Sequence, residues 1–284
     1  MNLPPAVENW CRENDFGTIQ TVHPVSGGCI NQGARLQTSS GQTLFLKQNP
    51  DLHPQTFHRE AEGLRALVCD GGPRLPRPFL AGERFLLLED LRPARRAVDY
   101  WQFFGRQLAT LHAQKSDRFG FEHDNFLGSS PQPNPRHLDG HAFFAEQRLL
   151  YQADLARRKG LLEADDHARL ARLAGCLPDL IPDQPASLLH GDLWSGNAIS
   201  ASQGEPAIID PAAHYGWAEA ELGMTDLFGG FPQAFYQAYE ETRPLASGWR
   251  QRLPIYNLYH LLNHLNLFGR SYLGQVQSIL QRFT

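Results

Sequence analysis

The run Leu188-Leu189-His190-Gly191-Asp192-Leu193-Trp194-Ser195-Gly196-Asn197 leads from apolar residues into a tight turn holding an aspartate, with an asparagine five positions later. Ile208-Ile209-Asp210-Pro211 repeats the plan, a short apolar run ending in a second aspartate. Phosphoryl transfer asks little of a protein: one group to take or orient the hydroxyl proton, and ligands for the magnesium that bridges the phosphates. Asp192 suits the first role, while Asn197 and Asp210 offer the hard oxygens that Mg²⁺ prefers. The order is that of the kinase catalytic loop, H-x-D-x-x-x-x-N followed by a metal-binding Asp. Either aspartate alone reads as a loop cap. Three such residues at this spacing, between two strand patterns, point to a kinase-type site.

The complementary half lies near the other end of the chain. Gly27-Gly28-Cys29-Ile30-Asn31-Gln32-Gly33 falls between two strand patterns, where backbone amides can cover nucleotide phosphates. Of the 26 basic residues only Lys47, Lys115 and Lys159 are lysines. Lys115 and Lys159 end amphipathic helical patterns, as surface cations do. Lys47 instead ends the apolar run Thr43-Leu44-Phe45-Leu46, where a compact ammonium can reach phosphates in a crowded place. A strand lysine tied to a helix glutamate orients the α- and β-phosphates in kinases. His58-Arg59-Glu60-Ala61-Glu62 supplies two candidates, of which Glu60 is preferred and Glu62 competes.

These residues need two kinds of scaffold. Residues 1–89 read as a small nucleotide-binding unit: a helix over 3–14, strands over 18–25, 34–39 and 43–48, a helix over 56–69, and strands over 79–81 and 84–88. Residues 90–284 read as a mainly helical catalytic and substrate-binding unit. Its helices are predicted over 98–113, 138–158, 164–177, 221–228, 232–242 and 247–268, with another toward the end, and residues 117–137 form a long ordered loop. Short strands are predicted over 187–189, 198–200 and 207–209. The fold class is therefore α+β, a β-rich lobe hinged to a helical one.

Composition narrows the remaining classes. A net charge of −4 gives no general affinity for nucleic acid or anionic membranes, and no apolar run approaches the roughly 20 residues of a membrane span. The first residues lack the pattern of a secretory signal. Cys11, Cys29, Cys69 and Cys176 are scattered, which argues against zinc or a disulfide framework and for a reducing cytoplasm.

The stretch from His190 to Asn197 closely resembles the fructosamine kinase (ketosamine kinase) family. So do Asp210-Pro211-Ala212-Ala213-His214-Tyr215-Gly216, Glu219-Ala220-Glu221-Leu222, Leu227-Phe228-Gly229-Gly230-Phe231, Leu262-Asn263-His264-Leu265-Asn266-Leu267-Phe268-Gly269-Arg270 and Gly27-Gly28-Cys29-Ile30-Asn31. The resemblance covers nearly the whole chain. It implies a two-lobed protein-kinase-like fold, related to that of aminoglycoside phosphotransferases, and ATP- and Mg²⁺-dependent phosphorylation of O3 on ketosamines. That step destabilises the sugar adduct and frees the amine, a deglycation. Carried over by position, Asp192 is the base and Asn197 and Asp210 bind magnesium. Lys47 and Glu60 orient the phosphates beside Gly27, Gly28 and Cys29, and Leu88-Glu89 forms the adenine hinge. Residues 91–96 and 117–137 depart from the family pattern at the expected substrate mouth.

Trp194, Tyr215 and Trp217 are candidates for an aromatic wall on which a sugar stacks, with core packing the competing role for Trp217. His190 is read as a brace for the catalytic loop. Two other functions remain open from sequence: an aminoglycoside- or choline-type phosphotransferase, and a nucleotide-binding protein without activity. The chain is expected to be a monomer, or a homodimer linked through an oxidised Cys29.

Overall fold

Alternation with a period of two sets the architecture of the first lobe. In β3 (Thr43–Gln48), Leu44 and Leu46 face one side of the sheet and Phe45 and Lys47 the other. The computed structural model describes residues 3–25 and 31–283. Helix α1 (Pro5–Glu13) and strands β1 (Ile19–Val25) and β2 (Gln32–Thr38) precede β3, and α2 (Thr56–Ala66), β4 (Pro78–Gly82) and β5 (Phe85–Glu89) follow it. The strands form one antiparallel sheet in the order β1-β2-β3-β5-β4. Val7 and Cys11 of α1 cover Ala34, Leu36, Leu44, Leu46 and Leu87 on one face. The opposite face carries Lys47 toward α2 and the cleft.

The second lobe begins with α3 (Tyr100–Leu111) and β6 (Lys115–Ser116). Where the sequence predicts only a loop, β7 (Asn125–Leu127) and β8 (Ser130–Gln132) form a hairpin turning at Gly128, whose φ is +63°. The Gly, Ser, Pro and Asn residues of this segment read as loop and hide two short strands. Helix α4 (Gly140–Phe144), a π-helical stretch (Ala145–Leu150) and α5 (Tyr151–Arg158) run on without a break, capped by Asp139. Helices α6 (Ala164–Gly175) and α7 (Leu177–Leu180) lead to β9 (Ala186–Leu189), β10 (Ala198–Ser200), β11 (Pro206–Ile208) and β12 (His214–Gly216). Helices α8 (Ala218–Leu227), α9 (Gln233–Thr242), α10 (Trp249–Phe268) and α11 (Leu273–Phe283) complete the lobe. Among the described residues no helix is long and apolar enough to cross a membrane.

This is the α+β, two-lobed arrangement expected from sequence, with one qualification about the core. Phe57, Ala61 and Leu64 of α2 and Leu86 and Leu88 of β5 belong to the same apolar cluster as α3, α9 and α10. The lobes therefore share a core beneath the cleft. Of the two surface lysines, Lys159 ends α5 as expected and donates to the Asn266 carbonyl at 2.9 Å, whereas Lys115 lies on β6 and not at a helix end.

Candidate active site

The catalytic turn starts from a strand that is buried along its whole length, Ala186–Leu189. Gly191 follows at φ +84°, and a Cβ there would run into the Ala212 carbonyl, so only glycine lets the chain turn this close. His190 holds the turn from inside. Its Nδ1 accepts the Asp192 N–H at 3.2 Å, so its Nε2–H donates to the Ile209 carbonyl at 2.8 Å. That network requires the neutral ring, and burial lowers the His190 pKa accordingly.

Glu221 of α8 completes the support from below. Its carboxylate accepts the His190 N–H at 2.9 Å, the Gly191 N–H at 2.6 Å and His112 Nε2–H at 3.0 Å. His112 Nδ1 in turn accepts the Tyr239 hydroxyl at 2.7 Å. Burial opposes the charge on Glu221, but the hydrogen bonds to His112 and the loop outweigh it and hold its pKa below the usual carboxylate range. Sequence reasoning quoted Glu221 only as part of a family signature. Its role depends on α3, α8 and α9 meeting behind the loop.

Asp192 opens on the cleft, with its main-chain carbonyl and carboxylate accepting the Asn197 side-chain amide at 2.8 and 3.2 Å. Burial, and then the negative charge of Asp210, push its pKa well above the ordinary carboxylate value. Asp210 sits at φ +60° at the end of the β11 run, an unusual conformation for a residue with a side chain. Lys47, 4% exposed, donates to Glu60 Oε1 at 2.6 Å and to Asp210 Oδ1 at 2.8 Å. Burial disfavours its ammonium, but the two carboxylates more than compensate and raise its pKa. Glu62 pairs instead with Arg59 at 3.0 Å and His123 at 2.7 Å, so Glu60 is the partner of Lys47.

The donor set suits a hard divalent cation. The Asn197 amide N–H is engaged by Asp192, which leaves its Oδ1, and Asp210 has Oδ2 free of Lys47. Positive charge here would also relieve the repulsion between Asp192 and Asp210.

Asp192, Asn197, Asp210, Lys47, Glu60, Glu89 and Trp194 all line one cleft of about 440 Å³ between the lobes. Other expected residues lie elsewhere. Leu88 points into the shared core at 4% exposure, while Glu89 is held by Arg74 and by the Arg77 N–H. The Glu89 N–H is engaged by the Arg77 carbonyl, so the cleft wall continues through Asp90 and Leu91. Asp90 grips Arg35 of β2 at 2.6 and 3.2 Å, an ion pair between non-adjacent elements that sequence reasoning missed. Trp217 is 3% exposed and packs against Phe119, Phe144 and Tyr256, and it is absent from the cleft lining. Tyr215 is absent too, lying on β12 beside Phe121 under the Arg136 guanidinium. Gly27, Gly28 and Cys29 lie outside the described residues.

The sequence model of the fructosamine kinase family matches residues 7–284. The chain belongs to that family. Among its relatives is a probable ketoamine kinase of Synechocystis, 46% identical over 269 residues, covering 93% of this chain and 90% of the relative. A chloroplastic protein-ribulosamine 3-kinase of Arabidopsis thaliana is 37% identical over 293 residues, covering 100% and 88%. The solved structure of a candidate fructosamine-3-kinase from Thermobifida fusca superposes with a TM-score of 0.88 at 31% identity, over 97% of each chain. Membership of the fructosamine kinase family makes this an ATP-dependent kinase with a hydroxyl acceptor, built on the protein-kinase-like fold.

Proposed function

We propose that this fructosamine kinase family member phosphorylates a sugar hydroxyl of ketosamines, of the fructosamine or ribulosamine type, and so promotes deglycation of the amine. The observation that carries this reading is the gathering of Lys47, Glu60, Asp192, Asn197 and Asp210 in one cleft, with Trp194 beside the base. Lys47, braced by Glu60, meets the nucleotide phosphates, and backbone near Glu89 receives the adenine. When bound, Mg²⁺ neutralises phosphate charge, held by Asn197 and Asp210. Asp192 takes the proton of the acceptor hydroxyl, and the Trp194 ring gives the sugar a flat apolar face. The lobe boundary falls at Glu89, where the five-stranded sheet ends. The absence of clustered cysteines from the sequence fits a cytoplasmic enzyme.

The charges of the cleft favour a sugar over a polyamine acceptor. Among its described lining carboxylates, Glu60 is matched by Lys47, Glu89 by Arg74, Asp90 by Arg35 and Asp210 by Lys47. Lys47 is shared by Glu60 and Asp210, so the spare negative charge is confined to that pair and Asp192, where a bound divalent cation would take it up, whereas a polycationic aminoglycoside calls for further spare carboxylates. Magnesium-dependent ATP consumption with ketosamines, choline and aminoglycosides tests the assignment. Turnover confined to ketosamines is expected, and selective turnover of choline or an aminoglycoside would displace this reading.

A further inference from the structure

Arg148 is the largest side chain in the protein with under 2% exposure, and none of its hydrogen bonds reaches a carboxylate. It lies in the π-helical stretch before α5, a backbone form found often at functional positions. Its guanidinium donates to the Pro133 carbonyl at 2.6 Å, to Asn134 Oδ1 at 2.7 Å and to the Gln147 carbonyl at 3.1 Å, between the rings of Phe143 and Tyr259. Burial pulls its pKa down to about 10, so the group stays charged at neutral pH. A buried cation is costly, and an apolar residue of similar volume often serves folding as well or better.

What the cation holds is the base of the β7–β8 hairpin. Asn134 Nδ2 donates to the His123 carbonyl at 3.2 Å and to Asn125 Oδ1 at 3.1 Å. Gln132 Nε2 donates to Asn125 Oδ1 at 2.6 Å and to the Ala212 carbonyl at 3.0 Å, while Asn125 Nδ2 donates to the Ala213 carbonyl at 2.8 Å. Tyr259 closes the network by donating to Gln132 Oε1 at 2.6 Å. Asn125, Gln132 and Asn134 are each at most 4% exposed, so the hairpin is fixed to the chain just after Asp210 by buried polar bonds. The same hairpin, through Asn125, Phe126 and Gly128, lines the cleft that Asp192 and Trp194 also line.

We infer that this hairpin is the acceptor-side wall of the active site and that Arg148 is the positioning residue that sets it. The sheet and α2 supply Lys47 and Glu60, whereas the hairpin belongs to the second lobe; its Phe126 ring packs 5.1 Å from that of His53, just before α2, and lines the same cleft as Asp192 and Trp194. It therefore governs how the hydroxyl-bearing substrate sits, with Phe126 meeting the acceptor directly and Arg148 acting through Asn134. The inference rests on the kinase reading but not on the identity of the sugar.

The test uses Phe126→Ala, Arg148→Met and Asn134→Ala in the full chain, with whichever alcohol the wild type phosphorylates in the acceptor panel. Failure of every ketosamine would defeat the substrate assignment and leave this test intact. Each variant should raise the KM for the acceptor roughly tenfold or more, equivalent to about 1.4 kcal/mol, with the KM for ATP within about twofold of wild type. A partial loss of fold would lower apparent kcat and leave both KM values unchanged, so it cannot imitate the selective rise. An unchanged acceptor KM in Phe126→Ala overturns the wall. An effect in Phe126→Ala with none in Asn134→Ala and a folded Arg148→Met overturns the role of Arg148; if Arg148→Met does not fold, Asn134→Ala decides that point.

Discussion

Lys47 and Asp210, 163 residues apart in the chain, form an ion pair of 2.8 Å across the cleft. With Glu60 on its other side, the ammonium occupies a slot 5% exposed. A guanidinium is wider and planar, so it cannot meet both carboxylates in that slot. Lys47→Arg is expected to lower turnover by roughly 10²-fold through misplacement of the phosphates. Lys115→Arg, on the exposed β6, should be silent in the same steady-state assay, and equal losses at both positions would contradict the slot argument.

Asp192 and Asp210 should separate kinetically. Asp192→Asn removes the proton acceptor and should cost roughly 10²- to 10⁴-fold in kcat with nucleotide affinity retained. Asp210→Asn should weaken nucleotide binding chiefly when magnesium is present. Titrating a fluorescent ATP analogue at several magnesium concentrations distinguishes the two, and affinity for Asp210→Asn that ignores magnesium would remove Asp210 from the metal site.

Glu60 gives the enzyme a pH signature. Burial pushes its carboxyl up to about 6, with Asp210 adding to the shift and Lys47 opposing it. Below that pH Glu60 takes a proton and loses its ionic hold on Lys47. The kcat/KM for ATP should therefore fall as pH drops through about 6, and Glu60→Gln should be slower with a shallower acid limb, the part that remains coming from Asp192. Stability runs the other way. The native carboxyl binds its proton more tightly than the unfolded chain, so this group's contribution rises as pH falls from about 6 toward 4.5.

Glu221 is expected to matter without touching substrate. Its carboxylate receives three N–H donors, and a glutamine amide would turn its own N–H groups toward some of them. Glu221→Gln should cost roughly 1.5–3 kcal/mol in chemical denaturation, the scale of a hydrogen bond to a charged group. It should also lower kcat while ATP affinity holds. Wild-type stability in this variant would show that the loop does not depend on α8.

The sequence by itself determined the parts whose chemistry is local. Asp192 and Asn197 lie five residues apart in one turn, so their spacing alone brings the amide to the carboxylate. Lys47 was legible as one of only three lysines, placed at the end of an apolar run that reads as a strand, with Glu60 on the helix after it. Glu60 and Glu62 could not be separated in one dimension. Their difference appears only when α2 packs beside the sheet on one side and His123 arrives on the other. Tertiary structure likewise decided the fate of the aromatics. Trp194 and Trp217 were both candidates for the sugar wall, with core packing the competing role for Trp217; β12 and α8 carry Trp217 into the core, while Trp194 stays at the cleft. The support from Glu221 and the Arg148 clamp were beyond sequence reasoning for the same physical reason. Glu221 draws its donors from the catalytic turn and from His112, and Arg148 holds the nearby Asn134 in a network that closes through Ala212, Ala213 and Tyr259, so only packing determines which donors and acceptors must satisfy one another.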